Sequence, residues 1–227
     1  MKHISLFVLS LLAVILVSGQ QEKAAYYDEI RELKRQDSLR GFPAKKSILF
    51  IGSSSFTMWK DVKDNFPGYS IINHGFGGST LLDVIHYVND IVSAAYTRQI
   101  IIYCGENDLA AADSVTDVIV AERFKMLFNR LRKKIKNIPI VYISMKPSPS
   151  RQMLLGKMRD GNARIRAFLK TQKATSYVDV YKEMIDDEGK PIPELFLDDN
   201  LHMNKQGYAI WQKMLAPHLI KEKKLVK

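Results

Sequence analysis

The sequence lacks the residues on which small or metal-stabilised domains depend. Its one cysteine, Cys104, excludes an internal disulfide bond, and no cluster of Cys and His has the spacing of a zinc site. The 12 glycines and 8 prolines are too few for a collagenous or low-complexity chain. A single domain of this size buries about 70% of its unfolded surface without such help. With 227 residues, 46% of them apolar, the chain is predicted to be one globular domain without metal or other cofactor.

The sequence also has no excess of acidic residues, because it contains 34 basic and 24 acidic residues and its formal net charge is +10. Such a charge is compatible with nucleic acid binding only if the cations form a patch or a known motif. They are scattered instead, apart from Arg130–Lys136, typical of the solvated face of a helix, and a C-terminal cluster, Lys221–Lys227. No RRM, helix-turn-helix or zinc-finger pattern is present. The sequence therefore predicts no nucleic acid partner.

No apolar run reaches the roughly 20 residues that a membrane-spanning helix requires. The longest, Ile4–Val17, follows the positive charge of Lys2 and precedes Val17-Ser18-Gly19, a small-residue site of the kind that signal peptidase cleaves. We predict a signal peptide over 1–19 and an exported protein, periplasmic or secreted, beginning near Gln20. An uncleaved membrane anchor is the alternative. Outside the cytoplasm, the unpaired Cys104 is expected to be buried.

Short apolar runs alternate with amphipathic helical patterns along the rest of the chain. The predicted strands are Ser47–Ile51, Tyr69–Ile72, Gln99–Cys104, Pro139–Met145 and Ser176–Val180. The predicted helices are Glu22–Leu39, Leu81–Ala95, Val115–Ile135, Met153–Leu169 and Lys205–Leu215. Strands that are apolar on both faces and alternate with helices predict an α/β fold, a three-layer α/β/α sandwich with a five-stranded, mainly parallel sheet.

In such folds, ligands bind at the carboxyl ends of the strands. The loops that follow the predicted strands contain most of the notable serines, glycines and asparagines. They are Gly52–Trp59, Asn73–Thr80, Gly105–Asp108 and Lys146–Arg151. We therefore expect the functional site at this edge of the sheet.

The first of these loops contains three consecutive serines, Ser53-Ser54-Ser55, after Gly52. A serine that follows a buried strand and opens a helix presents its hydroxyl where helix N–H groups stabilise negative charge. A turn with capping serines is the alternative. The loop is not the G-x-S-x-G elbow of α/β-hydrolases, because Phe56 stands at the second glycine.

A serine nucleophile requires a base, and the base requires an acid that orients it. His202 lies three residues after Asp199, so on a turn the carboxylate can hold Nδ1 and leave Nε2 for the serine. His74 lies in the glycine-rich loop, where it could contact substrate. The remaining histidines fall in the signal peptide or in helical patterns and are His3, His86 and His218.

An oxyanion hole needs hydrogen-bond donors aimed at the point where negative charge develops. Gly75-Phe76-Gly77-Gly78 offers unobstructed backbone N–H groups, and Asn107, after the most strand-like segment, offers a carboxamide. The glycines do not form a dinucleotide-binding fingerprint, because Thr80 stands where its third glycine belongs.

In this order, the motifs resemble those of the SGNH hydrolases, also called the GDSL-like lipase/acylhydrolase superfamily. The matching blocks are Gly52-Ser53-Ser54, Asn73–Gly78, Gly105–Asp108 and Asp199–His202. The resemblance runs from about Lys46 to Pro217. It implies a flavodoxin-like hydrolase domain over 46–227, after the predicted signal peptide and an N-terminal helical segment over 20–45.

The resemblance also implies the roles of the site residues. Ser54 would be the nucleophile, His202 the base and Asp199 its orienting acid. The N–H of Ser54 would join Gly78 and Asn107 in the oxyanion hole, with no metal. Two positions depart from the family pattern, because Ser53 replaces the usual aspartate and Glu106 a common threonine. The choice among the adjacent serines, and of Asp199 over Asp198, rests on the family register.

The expected function is that of an exported serine esterase acting on short acyl esters, acetyl above all, including esters of carbohydrates. Lysophospholipase or thioesterase activity and a non-catalytic glycan-binding module are the alternatives. Lys146 and Arg151 would either meet an anionic substrate or lie on the solvated surface. The residues that would either wall an acyl pocket or pack in the core are Phe56, Met58, Trp59 and Phe196.

Overall fold

The computed structural model describes residues 24–41 and 46–221, so the predicted signal peptide lies outside the described residues. Five parallel strands form one sheet in the order β2-β1-β3-β4-β5. The strands are β1 (Ser47–Gly52), β2 (Ile71–Gly75), β3 (Thr97–Tyr103), β4 (Ile140–Ile143) and β5 (Thr175–Val178). This confirms the predicted five-stranded parallel sheet.

Eight α-helices are present in the described part of the chain. They are α1 (Tyr27–Arg40), α2 (Ser54–Thr57), α3 (Val62–Asn65), α4 (Leu81–Ile91), α5 (Glu106–Ala111), α6 (Asp117–Lys134), α7 (Leu155–Lys170) and α8 (Lys205–Leu215). Among these residues, none of the helices is both long and apolar enough to cross a bilayer.

Two hydrophobic cores lie on the two faces of the sheet, because successive strand residues point in opposite directions. In β1, Leu49 and Ile51 pack into the core shared with α1, α4, α6 and α7. Ile48 and Phe50 pack into the other, with α2, α3 and α8. The predicted three-layer sandwich is therefore confirmed, and the predicted burial of Cys104 is confirmed as well.

The N-terminal helix α1 is part of the first core. Ile30 is buried in it, and Lys34 forms a salt bridge with Asp90 near the end of α4. The hydroxyl of Tyr87 in α4 donates to the backbone carbonyl of Ala25, just before α1. The helical segment therefore packs on the same body as the sheet.

Two boundaries differ from the prediction in ways that affect the site. Strand β2 extends to Gly75, because Gly75 still pairs with Gly52 of β1. The residues Pro149–Leu154 form a 3₁₀ helix, so α7 begins at Leu155 rather than at Met153. The apolar periodicity that placed Met153 in the helix was misleading, since its side chain is 94% exposed.

Candidate active site

The carboxyl ends of the three central strands lie at one level of the sheet. Gly52 pairs with Gly75 on one side and with Tyr103 on the other. Its φ is +141°, and a Cβ on it would lie 1.9 Å from the carbonyl oxygen of Tyr103, so only glycine fits. The N–H of Phe76 donates to the Gly52 carbonyl at 2.9 Å. The first three candidate loops therefore leave the sheet side by side.

Of the three consecutive serines, one differs from the other two in its surroundings. Ser53 and Ser55 are buried, and their hydroxyl oxygens have no hydrogen-bond partner. Ser54, the first residue of α2, is partly exposed, and its Oγ lies 3.0 Å from Nε2 of His202. The local geometry thus presents the Ser54 hydroxyl, and not its neighbours, to the imidazole.

His202 and Asp199 meet across a tight turn. The distance from Nδ1 of His202 to Oδ2 of Asp199 is 2.6 Å. Oδ1 of Asp199 accepts hydrogen bonds from the backbone N–H groups of Leu201 and His202, at 2.9 and 2.8 Å. Asn200, with φ +56°, supplies the left-handed residue that closes the turn. One carboxylate therefore both shapes the turn and holds the imidazole.

The hydrogen bonds of this turn also keep the carboxylate ionised. Burial raises the pKa of Asp199, but the hydrogen bonds from the His202 ring and from the two backbone N–H groups outweigh it and lower the pKa to about 2. With Nδ1–H donated to this carboxylate, the lone pair of Nε2 faces the Ser54 hydroxyl. The arrangement can remove the hydroxyl proton and stabilise the resulting imidazolium.

The candidate oxyanion donors lie on the loops that follow β2 and β3, the two strands that pair with β1. Asn107 belongs to α5, which begins directly after β3, and its Nδ2 donates to the carbonyl oxygen of Ser79 at 3.0 Å. Its Oδ1 accepts from the Arg151 guanidinium at 3.1 Å. Gly78 adopts φ +76°, a conformation that favours glycine. The glycine loop and the asparagine are thus tied to each other through Ser79.

Asp108 adds a second tie between these two loops. Its buried carboxylate accepts from the N–H of Leu81, the first residue after the glycine loop, at 2.8 Å and from Arg123 at 2.7 Å. Burial raises the pKa of Asp108, and both hydrogen bonds oppose that shift. The sequence motif containing Asn107 therefore supplies a structural residue next to the candidate donor.

Lys146 occupies neither of the two places expected for it. Its ammonium group lies 3.1 and 3.2 Å from the carboxylate oxygens of Glu106, and the exposed fractions of the two side chains are 0% and 2%. The hydroxyl of Tyr103 donates to the same carboxylate at 2.7 Å. Burial lowers the pKa of Lys146, and Glu106 opposes that shift. Lys146 thus forms a buried ion pair with Glu106, the residue that precedes Asn107.

One further expectation is corrected. His74 does not reach the site, because its buried ring lies 2.7 Å from the carbonyl oxygen of Ile91 and 3.0 Å from Asp37 of α1. Arg151 is partly buried, and its guanidinium contacts Asn107 and donates to the Glu106 carbonyl at 3.2 Å. Backbone carbonyls and polar side chains that are distant in the sequence hold both residues in place.

The aromatic residues considered for an acyl pocket belong to the core. Phe56, Trp59 and Phe196 are buried in the second core, and Phe56 and Trp59 each pack edge-on against Phe50. Met58 is exposed, one turn after Ser54. Of the four candidates, only Met58 is available to a substrate.

Several supporting residues were not recognised in the sequence. Asn73 donates to the carbonyl of Phe56 at 2.7 Å, and Tyr208 donates to that of Ser55 at 2.8 Å, so both fix helix α2 behind the serine. The Tyr26 ring packs edge-on against Phe76, and its hydroxyl lies 3.3 Å from where a Cβ of Gly78 would be. Of these supporting residues, only Asn73 lies within one of the sequence motifs, Asn73–Gly78.

Within the described residues, no group of three or more His, Cys, Asp or Glu side chains is arranged to hold a metal ion. The chemistry that the geometry offers is that of a serine, a histidine and an aspartate. The candidate hydrogen-bond donors lie on the loops after the neighbouring strands.

Comparisons with known proteins concern the family and the fold of the chain. The model of the GDSL-like lipase/acylhydrolase family matches residues 51–210, well over half of the chain. No curated protein matches it. A GDSL-like lipase from Bacteroides thetaiotaomicron VPI-5482 superimposes with a TM-score of 0.71 at 22% identity, covering 83% of this chain and 96% of that one.

Two other solved structures share the fold. A candidate acylhydrolase from Bacteroides fragilis NCTC 9343 gives a TM-score of 0.73 at 22% identity, covering 87% of this chain and 97% of that one. An acetyl esterase mutant solved with an acetate ion gives 0.58 at 11% identity, covering 76% and 95%. At these identities the likeness shows a common architecture.

Proposed function

The chain belongs to the GDSL-like lipase/acylhydrolase family and is a carboxylic ester hydrolase, and from this premise we propose that it is a serine esterase that forms an acyl-enzyme on Ser54. The observation that carries the proposal is the continuous hydrogen-bonded chain from the Ser54 hydroxyl through His202 to Asp199. A non-catalytic binding module would not require these linked hydrogen bonds.

In the first half of the reaction, Ser54 Oγ attacks the ester carbonyl carbon while Nε2 of His202 takes the hydroxyl proton. The carbonyl electrons move onto the oxygen, which accepts hydrogen bonds from the N–H of Ser54, the N–H of Gly78 and Nδ2 of Asn107. The tetrahedral intermediate then collapses. The alcohol leaves with the proton from His202, and the acyl group remains on Ser54.

In the second half, water replaces the alcohol. His202 takes a proton from water, whose oxygen attacks the acyl carbon, and the same donors stabilise the oxyanion. Collapse releases the carboxylic acid and returns the proton to Ser54 Oγ. Throughout, the ionised Asp199 keeps Nδ1–H in place and balances the imidazolium charge.

The open site supports short acyl groups on an exposed alcohol, such as acetyl esters of carbohydrates. The Asp199 and His202 side chains are 47% and 22% exposed, so a bulky alcohol can approach them from solvent. One neighbour in fold is an acetyl esterase. Export through a signal peptide over 1–19 would bring the domain over 46–227 to carbohydrate esters outside the cytoplasm.

A lysophospholipase or thioesterase is the second candidate, and one observation favours it. Exposed apolar side chains are adjacent in sequence to three elements of the site. Met58 follows Ser54 by one turn, Leu197 precedes Asp199 by two residues, and Met153 follows Arg151 by two. Together they could contact a longer acyl chain.

Serine substitutions test the proposal, with p-nitrophenyl esters from acetate to palmitate as substrates. Ser54→Ala should lower turnover about 10⁶-fold, because the nucleophile is lost. Ser53→Ala and Ser55→Ala are matched controls that remove buried, unpartnered hydroxyls, so both should fold and keep most of the activity. An active, folded Ser54→Ala protein would refute the mechanism. A maximum at long esters would favour the second candidate.

A further inference from the structure

We propose that Arg151 is a positioning residue for the oxyanion hole, which holds the carboxamide of Asn107 so that Nδ2 faces the reacting carbonyl. The inference rests on the proposed esterase function and assigns a task to a loop, Lys146–Arg151, that supplies none of the proposed catalytic groups.

The two ends of the Asn107 amide have partners of opposite kind. The carbonyl oxygen of Ser79 can only accept, and it receives a hydrogen bond from Nδ2. The Arg151 guanidinium can only donate, and it donates to Oδ1. A flipped amide would set oxygen against oxygen and N–H against N–H. Both contacts therefore select one orientation, which leaves the second Nδ2 hydrogen for an oxyanion.

Arg151 is itself held in place by the loop of Asn107 and by its own turn. Its guanidinium also donates to the backbone carbonyl of Glu106 at 3.2 Å, and its backbone N–H donates to Ser148 at 3.0 Å. Glu106 is anchored in turn by its buried ion pair with Lys146. The fork of the guanidinium thus spans the backbone of one residue and the side chain of the next.

The same loop also contacts the turn that carries the histidine. The N–H of Ser150 donates to the carbonyl of Asn200, between Asp199 and His202, at 3.0 Å. One short segment therefore contacts both the oxyanion donor and the turn that carries the base. Among the described residues, no carboxylate forms an ion pair with Arg151, whose side-chain partners are the two oxygens of Glu106 and Asn107.

Loss of Arg151 would leave Asn107 with one partner and freedom to rotate. Because an oxyanion forms only in the transition state, looser positioning of its donor lowers kcat and leaves KM nearly unchanged. An anchor for an anionic substrate would behave differently. Its removal would raise KM for charged esters and spare kcat for neutral ones.

A double-mutant cycle tests the proposal on p-nitrophenyl acetate and on the succinate monoester, which carries a free carboxylate. Arg151→Met should lower kcat about 10- to 100-fold on both substrates with KM within about twofold, less than the 10²- to 10³-fold loss expected of Asn107→Ala. In the Asn107→Ala background, Arg151→Met should cost nothing more, because no carboxamide remains to be held.

Arg151→Lys should fall between wild type and Arg151→Met, since a lysine donates one hydrogen bond but lacks the fork. Arg159→Met, an exposed arginine near the start of α7, is the matched control and should be unchanged. If Arg151→Met unfolds early, the cycle is run with Arg151→Lys.

Multiplicative losses in the cycle, or a rise in KM confined to the succinate ester, would overturn the proposal. Ser54→Ala is assayed alongside, because an active Ser54→Ala protein would refute the esterase mechanism instead.

Discussion

Two pairs of a carboxylate and a basic side chain stand in the loops around the site, and they are built in opposite ways. Asp199 and His202 are three residues apart on one turn, and both side chains are partly exposed. Glu106 and Lys146 are 40 residues apart, and the sheet edge brings them together with 2% and 0% exposure. Both pairs are in hydrogen-bond contact, yet only one can exchange protons with a substrate.

The difference lies in what each base can reach. Nε2 of His202 has an accessible partner, the Ser54 hydroxyl, and the imidazole is itself partly exposed to solvent. The Lys146 ammonium is enclosed by Glu106 and the Phe196 ring, 5.9 Å away. A buried charge is tolerated only with its counter-charge in place. Exposure thus favours chemistry in one pair, and burial favours a fixed geometry in the other.

Removal of His202 should give the sharpest separation of the two roles. His202→Ala should lower turnover of p-nitrophenyl acetate about 10⁶-fold, as much as loss of the serine, because the two act as one unit. The free energy of unfolding should change by less than about 1 kcal/mol, since the ring lies on a turn and is partly exposed to solvent. His86→Ala, on an exposed face of α4, is the control. A folded His202→Ala enzyme with substantial activity would show that another group is the base.

Asp199→Asn should have the next largest effect. The asparagine oxygen can still accept from the N–H groups of Leu201 and His202, so the turn should persist, but the charge that stabilises the imidazolium is lost. We expect kcat to fall roughly 10³- to 10⁴-fold, with KM nearly unchanged. Asp198→Asn removes the same charge from the adjacent residue and should retain activity. Equal losses in both variants would mean that net charge, not the hydrogen bond to Nδ1, is what matters.

The two pairs also show which contacts of the site can be predicted from the sequence. The spacing of Asp199 and His202 is itself a local signal, because residues three apart on a turn meet. Nothing local connects Glu106 with Lys146. Their contact depends on strands β3 and β4 ending side by side, so Lys146 was expected at a substrate or in solvent.

The same distinction applies to the fold. Apolar runs were sufficient to predict five parallel strands and both helical layers, because strands buried on both faces consist of nearly continuous apolar residues. They could not place the end of β2, since Asn73, His74 and Gly75 are not typical of a strand and remain in it through pairing with β1. The apolar runs also could not predict that Tyr26 contacts the glycine loop, because that contact depends on how α1 packs against the sheet.

Breaking the buried pair should affect stability rather than chemistry. Lys146→Met leaves the Glu106 carboxylate buried without its counter-charge and should cost about 3–5 kcal/mol in the free energy of unfolding, measured in urea. The double variant Lys146→Met/Glu106→Gln removes both charges and should recover most of that loss. If Lys146→Met keeps full stability but loses activity as completely as Ser54→Ala, the lysine takes part in the reaction.

The smallest expected effect is a pH dependence that belongs to the exposed pair. The pKa of Asp199 is about 2 in the folded protein, below its ordinary value near 3.8. Below the lower value both folded and unfolded chains bind the proton, and above the higher value neither does. The ionised carboxylate therefore contributes stability that is complete above about pH 5 and is lost as pH falls from about 4 to 2.

Comparison of wild type with Asp199→Asn isolates this contribution, because the variant has no proton to bind at that position. The difference in melting temperature should be constant from about pH 5 to 7 and should close between about pH 4 and 2. Solvent screens a pair this exposed, so the difference should not exceed about 1 kcal/mol, or roughly 2–4 °C for a chain of this size. Asp198→Asn controls for the lost charge. A difference in melting temperature that widens on acidification would mean that the hydrogen bonds of the turn do not hold the Asp199 carboxylate in its charged form. The two pairs would then differ only in their burial.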